Sequence, residues 1–430
     1  MRVVIALGGI DRGRSGIGRY VRAVLPRLNE QLTHAGGTLA VLGTARDFDD
    51  CGSALGDADR IQIPSLYEAP ALSALSYLFR AGREARVAGA DVLLLPAANR
   101  RATWRSTLPT VAVVHDLAQF HIPHKYDALR MFYVKRVLTA ALRTASELVA
   151  VSEATRKDVV WGLGRSRERV RVVYNGVDTQ LFAPAERESS PVADARRAAG
   201  LSRPYLLYAS RLEHPGKNHV RLLRAFAGSR LRNSHQLVLV GSDWGAGARI
   251  RADVARLGLE NAVRLPGYVD DEMLAGLVAG ADAVLVVGLH EGFGLPALEG
   301  LASGRPVVAS QTGAALESVG EFGVPCDPGD EASLRAALER VVTDMVLRER
   351  AAAEGPAWAA RWSWDETARG LLDACFSAAG IEGSASPSRS EVRDADGAAA
   401  NSYGFAGTPR AEIDPRGAVA PRNSIPGSGR

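Results

Sequence analysis

Short apolar runs alternate along the chain with stretches whose apolar positions recur every three or four residues. The short runs suit strands buried on both faces and the longer period suits amphipathic helices. The alternation therefore predicts βαβ units and parallel sheets. In the first half it predicts strands at 3–7, 38–42, 92–95, 111–114, 148–151 and 170–173, and helices at 20–31, 71–88, 129–144 and 153–161. Ser152, just ahead of Glu153 and Thr155, reads as a helix start. Residues 184–203 break the rhythm with Pro184, Glu186, Ser189, Ser190 and Pro191, and predict a linker. A second series follows. Its strands are predicted at 205–209, 236–240, 263–265, 283–287 and 306–309, and its helices at 218–226, 247–257, 271–279, 296–303 and 331–341. The pattern thus gives two α/β domains, 1–183 and 204–360. From 380 to 430, Gly, Ser, Ala and Pro displace large apolar residues, and this tail is expected to be disordered.

Composition narrows the class. The chain has 430 residues, of which 47% are hydrophobic, enough for two ordinary cores. A formal net charge of +4 suits a protein that handles phosphates or visits an anionic membrane face, but is too small to point to nucleic acid. Cys51, Cys326 and Cys375 are far apart, without zinc-ligand or redox spacing, and read as buried thiols in a reducing compartment. The apolar run at 3–7 is too short for a signal-peptide core, and no run reaches membrane-span length. A cytoplasmic protein is expected, with peripheral contact at the inner membrane face as an option.

The chemistry concentrates where predicted strands end. Glu291 follows strand 283–287, and Glu299 lies inside the next helix, with Gly292 and Gly294 between them. Glycines let a ligand approach the backbone closely. The N–H groups of Gly294 and Leu295 would head a helix, a natural seat for a diphosphate, and Pro296 suits its first turn. A structural turn carrying a solvated glutamate is the alternative. Arg211 and Lys217 sit on the Pro215–Gly216 loop after strand 205–209. An arginine fork and a compact ammonium there would converge on one anion and stabilise a leaving diphosphate without a metal. Two solvated surface charges would look the same in sequence. A glycine-rich turn from Gly8 to Gly18 lacks the G-x-G-x-x-G spacing, and strand 38–42 ends in Gly43 rather than an acid for a ribose. His115 and Asp116 close strand 111–114 and would face an interdomain cleft. His115, His121 and His124 share no helical or hairpin register, so no metal site is expected of them. Asp57 with Asp59, in a polar loop, and Asp394 with Asp396, in the tail, match a cation-holding Asp-x-Asp pattern, but neither pair ends an apolar strand and both read as chance.

In this order, the segments Gly16-Ile17-Gly18-Arg19-Tyr20, Val114 to Leu117, Val151 to Glu153, Tyr174 to Asp178, Arg211 with Lys217 and Asn218, Pro266 to Val269, and the Glu291/Glu299 pair resemble one family. It is the retaining glycosyltransferases of family 4 (glycosyl transferases group 1). These have the GT-B fold, two Rossmann-like α/β domains with parallel sheets facing across a cleft. The likeness runs over residues 1–378, with 361–379 resembling the segment that returns the last helix to the first domain. It implies that Arg211 and Lys217 grip the donor diphosphate, Glu291 holds donor-sugar hydroxyls, and Glu299 accepts from the nucleotide ribose. Backbone groups of Phe293, Gly294 and Leu295 would meet sugar and phosphate, and Val269 would lie beside the base. Gly16 would let the first domain close over the phosphates. His115 would touch the transferred sugar, and Asp116 would face the acceptor.

The implied reaction retains configuration and uses no cofactor and no metal. Likeness of 213–217 to exopolysaccharide and O-antigen mannosyltransferases favours GDP-mannose, with a UDP- or dTDP-sugar next. A glycan or polyprenyl-linked acceptor in surface polysaccharide biosynthesis is the expected partner. A catalytically silent GT-B protein that binds sugar nucleotides is the alternative. One departure from the family pattern is His290, where many relatives carry a Pro-Ser stretch. The basic, apolar segment 124–143 predicts either a membrane-surface helix or an ordinary core helix with a solvated basic face.

Overall fold

A computed structural model describes residues 1–10, 15–123, 125–186 and 188–381. The first sheet contains β1 (Arg2–Ala6), β2 (Thr38–Gly43), β3 (Asp59–Gln62), β4 (Val92–Leu95), β5 (Thr110–Val114), β6 (Glu147–Ala150) and β7 (Val170–Val172), in the order β3-β2-β1-β4-β5-β6-β7. The second contains β8 (Tyr205–Ala209), β9 (Gln236–Val240), β10 (Val263–Gly267), β11 (Ala283–Val286), β12 (Val307–Ser310) and β13 (Gly323–Cys326), in the order β10-β9-β8-β11-β12-β13. Every pairing is parallel. Strand order therefore reverses between β1 and β4 and again between β8 and β11, the positions where open α/β sheets leave a crevice beyond the strand ends.

Alternation along the strands divides the core. Val3 and Ile5 of β1 join one cluster and Val4 and Ala6 another, because successive side chains leave opposite faces of the sheet. In β8, Leu207 belongs to the first of these clusters, while Leu206 and Tyr208 belong to a third. The first cluster draws on both sheets and on the last described helix, Trp364–Ala378. That helix lies against the helix Gly16–His34: Gln31 Nε2 donates to the Asp365 carbonyl at 3.0 Å, and the Tyr20 and Trp364 rings meet edge to face at 5.9 Å. Nearby, Thr367 Oγ1 donates to the Tyr174 carbonyl at 2.8 Å.

Three expectations need correction. Residues 184–203 are not irregular throughout, because a helix spans Ser190–Ala198. Its buried Val192 and Ala195, three apart, face the helix Asp271–Ala279, where a Cβ on Gly276 would come within 2.7 Å of the Pro191 carbonyl. Helix 71–88 is two helices, Pro70–Phe79 and Ala81–Val87. Asp59 does not lie in a loop: it opens β3 and pairs with Arg2 at 2.7 Å, so its role is at the sheet edge. Asp394, Asp396 and the 382–430 part of the tail lie outside the described residues.

Candidate functional site

Two loops of the second domain build one half of the site, 210–218 after β8 and 287–294 after β11. They are stitched together. The Leu289 N–H donates to the Gly216 carbonyl at 2.9 Å, and Asn218 Nδ2 donates to the carbonyls of Val287 at 3.1 Å and Pro328 at 2.8 Å. The Tyr208 hydroxyl donates to the Lys217 carbonyl at 2.8 Å. Lys217 Nζ is thereby held 3.1 and 2.9 Å from the two carboxylate oxygens of Glu291. Glu291 folds back over Gly288, where a Cβ would come within 2.1 Å of Oε1, so any side chain at 288 would displace it. Arg211 donates through Nη2 to Glu213 at 2.6 Å and lies 4.4 Å from the Trp244 ring centroid, a cation–π distance. Burial pushes the Glu213 carboxyl up, but Arg211, Lys125 and Lys217 outweigh it and hold the group below the usual carboxylate range.

The helix Leu295–Ala302 begins at Gly294, whose φ of 89° favours glycine. Beside its start is a cavity of about 130 Å³ whose lining includes Gly16, Arg211, Val269, Leu295 and Glu299. Glu299, only 2% exposed, accepts a hydrogen bond from Arg19 of the facing first-domain helix. Arg19 also donates to Asp271 at 3.0 Å. Burial drives the Glu299 carboxyl up, and Arg19 pulls against it. The second Glu299 oxygen, Oε2, is buried without a hydrogen-bond partner among the described residues. Lys217 and Glu291 are outside this lining; their link to it is Glu213, whose carboxylate feels both Arg211 and Lys217. The Phe293 side chain is elsewhere again, packed edge to face on Trp362 at 5.7 Å.

The first domain closes the other side. His115 Nε2–H donates to the Pro96 carbonyl at 2.7 Å, which fixes the tautomer and leaves Nδ1 as the ring's acceptor. Burial lowers this imidazole to about 4, so it stays neutral near neutral pH. Burial raises the Asp116 carboxyl, but Lys125, the Ala118 amide, His290 and Arg100 together hold it below the usual range. The two domains touch here backbone to backbone: a Cβ on Gly292 would lie 1.7 Å from the His115 carbonyl oxygen. Ser152 Oγ and Thr155 Oγ1 donate to the Gly292 carbonyl at 2.7 and 3.1 Å. The Glu317 carboxylate accepts from the Glu153 and Ala154 amides at 2.9 and 2.6 Å, capping the helix Glu153–Leu163 from across the cleft. Four residues at this site, Arg19, Gly288, Asp158 and Glu317, have no role that the sequence pattern points to. Arg19 and Gly288 lie inside or beside motifs it singled out; the other two carried no local signal.

The histidines regroup. His115 is committed to Pro96, and His124 lies outside the described residues. His121 instead meets Asp158 and His290, with potential ligand atoms all within 4.8 Å of one another. The basic segment is also mixed. Leu129 and Phe132 are 79% and 61% exposed, whereas Val134 and Leu138 are buried. A π turn, Tyr133–Leu138, separates the helices Ala128–Phe132 and Thr139–Leu142. Among the described residues no helix is long and apolar enough to cross a membrane.

Two family models match successive parts of the chain. The family described as Glycosyltransferase Family 4 matches residues 14–181, and that described as Glycosyl transferases group 1 matches residues 192–358. The chain is 29% identical over 266 residues to the O-antigen chain mannosyltransferase B of Escherichia coli, covering 61% of this chain and 69% of that one. It is 34% identical over 203 residues to the MMP alpha-(1->4)-mannosyltransferase of Mycolicibacterium hassiacum, covering 46% of each. With the D-inositol 3-phosphate glycosyltransferase of Thermomonospora curvata it shares 35% identity over 282 residues, 62% of this chain and 64% of that one. The matches thus span from about half to about two thirds of these relatives' lengths. Among solved structures, Anabaena Alr3699/HepE in complex with UDP-glucose superposes with a TM-score of 0.69 at 20% identity, covering 88% of this chain and all of that one (100%). WaaG, a glycosyltransferase involved in lipopolysaccharide biosynthesis, gives 0.66 at 18% identity, covering 87% of this chain and 99% of that one. At such identity these two likenesses speak for the fold.

Proposed function

Because the chain belongs to glycosyltransferase family 4, with the group 1 domain as its second half and the GT-B fold, we propose that it transfers a sugar from a nucleoside diphosphate-sugar to a glycan or lipid-linked acceptor. The observation that carries this reading is the shared cavity between the domains, lined by Arg211 and by Glu299, whose buried Oε2 has no hydrogen-bond partner among the described residues. Arg211 meets the diphosphate, and the ribose hydroxyls donate to Glu299. Lysine has three donors and arginine five, so Lys217 and Arg211 are able to keep their carboxylates while also binding phosphate oxygens. The amide end of the helix Leu295–Ala302 adds a favourable dipole for the same anion.

Transfer proceeds with retention and without a metal. As the bond from the anomeric carbon to the diphosphate breaks, negative charge grows on the leaving oxygen, and Arg211, Lys217 and the helix amides stabilise it more than they stabilise the ground state. The leaving oxygen takes the acceptor proton on the same face. Glu291 orients sugar hydroxyls, and neutral His115, acceptor-only at Nδ1, takes a hydrogen bond from one of them. Support for GDP-mannose comes from the two mannosyltransferase relatives. An anionic membrane surface is a fitting place for the acceptor, since Leu129 and Phe132 are exposed beside Arg130, Lys135 and Arg136.

The test is a thermal-shift series with GDP-mannose, UDP-glucose and dTDP-glucose, with and without EDTA, reading the increment over donor-free protein in the same buffer. GDP-mannose is expected to give the largest increment, unchanged by EDTA and absent in Arg211→Ala. No increment with any donor would overturn the reading, and an increment abolished by EDTA would overturn its metal independence.

A further inference from the structure

We propose that His121, Asp158 and His290 form a transition-metal site, suited to zinc, that ties the two domains together. His121 follows β5 and Asp158 lies on the helix Glu153–Leu163, both in the first domain, whereas His290 lies on the second-domain loop after β11. The two carboxylate oxygens of Asp158 each face one imidazole: His121 Nε2 is 2.7 Å from Oδ1 and His290 Nε2 is 2.9 Å from Oδ2. The rings stack with centroids 4.2 Å apart and 11° between their planes, and only the His121 contact has hydrogen-bond geometry, so one imidazole has to turn about its side-chain bonds before both nitrogens point at one ion. Zinc takes nitrogen at about 2.0–2.1 Å and carboxylate oxygen at about 2.0–2.2 Å, so tetrahedral ligands stand roughly 3.3 Å from one another. The ligand atoms lie within 4.8 Å of one another, so the proposal asks for a closing of about 1.5 Å together with that ring rotation.

Two imidazoles and one carboxylate are a donor set for zinc, cobalt, nickel or copper, and not for magnesium or calcium. The flanks are fixed. The Asp158 and His290 side chains are 12% and 6% exposed, Trp161 packs beside His121, and the Thr312 hydroxyl holds the Leu289 carbonyl at 2.8 Å. His121, at 38% exposed, gives an ion its way in and leaves the fourth position open to water. None of the three residues lines the cavity at Glu299, so the ion binds apart from the donor ribose. Its consequence is mechanical. One ligand comes from the second domain and two from the first, so an occupied site must lose a ligand before the domains separate.

The experiment uses the full chain, freed of metal with a chelator that is then removed. Cobalt(II), the spectroscopic substitute for zinc, is titrated while its visible absorption is followed, and zinc binding is measured by calorimetry. One ion per chain is expected, with tetrahedral cobalt bands that zinc abolishes, and a thermal midpoint that rises with zinc. His290→Ala and His121→Ala are each expected to weaken binding by at least about tenfold, the loss that even outer-shell partners produce. His121 is the more exposed, so its variant serves if His290→Ala fails to fold. Absence of saturable binding would overturn the proposal, as would binding that both folded variants retain at full strength. None of these readouts depends on sugar transfer.

Discussion

Two carboxylates eight positions apart on one motif live under opposite regimes. Glu291 takes its cation, Lys217, from its own domain, through loops stitched by Asn218 and Gly216. Glu299 takes Arg19 from across the cleft. The first pair is preassembled whatever the domains do. The second exists only when they are closed, and it engages the carboxylate that the proposed ribose needs. A cavity of about 130 Å³ is also small beside the roughly 300–1,000 Å³ of ordinary ligand pockets. On the proposed function, the anion-binding cation therefore stands ready within one domain, while the ribose end of the site depends on the contact between the two.

The sharpest way to break this contrast is to remove the preassembled cation. Lys217→Ala should lower kcat by about 10²–10³-fold, the scale for deleting one group that stabilises a developing anion. Its donor-free scattering profile should match that of the parent protein, and a kcat within tenfold of the parent would count against a preassembled role. Gly292→Ala comes next. A methyl group 1.7 Å from the His115 carbonyl has to push the domains apart. A misplacement of about 1 Å is able to cost up to about 10²-fold. A loss in kcat/KM of at least tenfold is expected, with a larger radius of gyration by X-ray scattering; an unchanged radius would mean the contact is dispensable.

Arg19→Ala addresses the second carboxylate. Arg19 holds only Oε1, so its loss opens a second oxygen to the ribose's two hydroxyls, and the donor KM should fall a few-fold while kcat changes less. Donor-free stability should drop by about 1–3 kcal/mol, because a buried acid loses its partner. A KM that rises instead would show Arg19 to be a donor ligand. The gentlest probe is pH. Burial holds His115, just beyond β5, and His219, behind the Lys217 loop, at about 4 instead of 6.5. The unfolded chain binds these protons first, so their contribution to stability is complete above about 6.5 and is lost as pH falls toward 4. Thermal midpoints between pH 7 and 4 should fall accordingly, and less steeply in His219→Gln.

The same contrast separates what the sequence made legible from what it hid. Strands such as β8 and β9 announced themselves because runs like Tyr205–Ala209 are apolar throughout and bounded by breaks. β3 did not: three of its four residues are exposed, and its edge position demands no apolar run. The helix Met345–Ala359 buries Ala351, Gly355 and Ala359, which are too small to leave an amphipathic signature. At the site, Arg211, Lys217, Glu291 and Glu299 could be read because each motif is local. Arg19 and Glu299, 280 positions apart, meet only once both domains are built. The meeting of His121, Asp158 and His290 and the Glu317 cap are invisible for the same reason.

The last described helix carries a consequence for how the protein is made. Trp364, Ala368, Leu371 and Cys375 belong to the core that also holds Tyr20, Val24 and Leu28. At about 5–20 residues per second, a ribosome that has finished the first sheet needs roughly 10–40 s more to deliver them. For that interval the nascent amino-terminal half shows an uncovered greasy flank, the face on which a holding chaperone would settle.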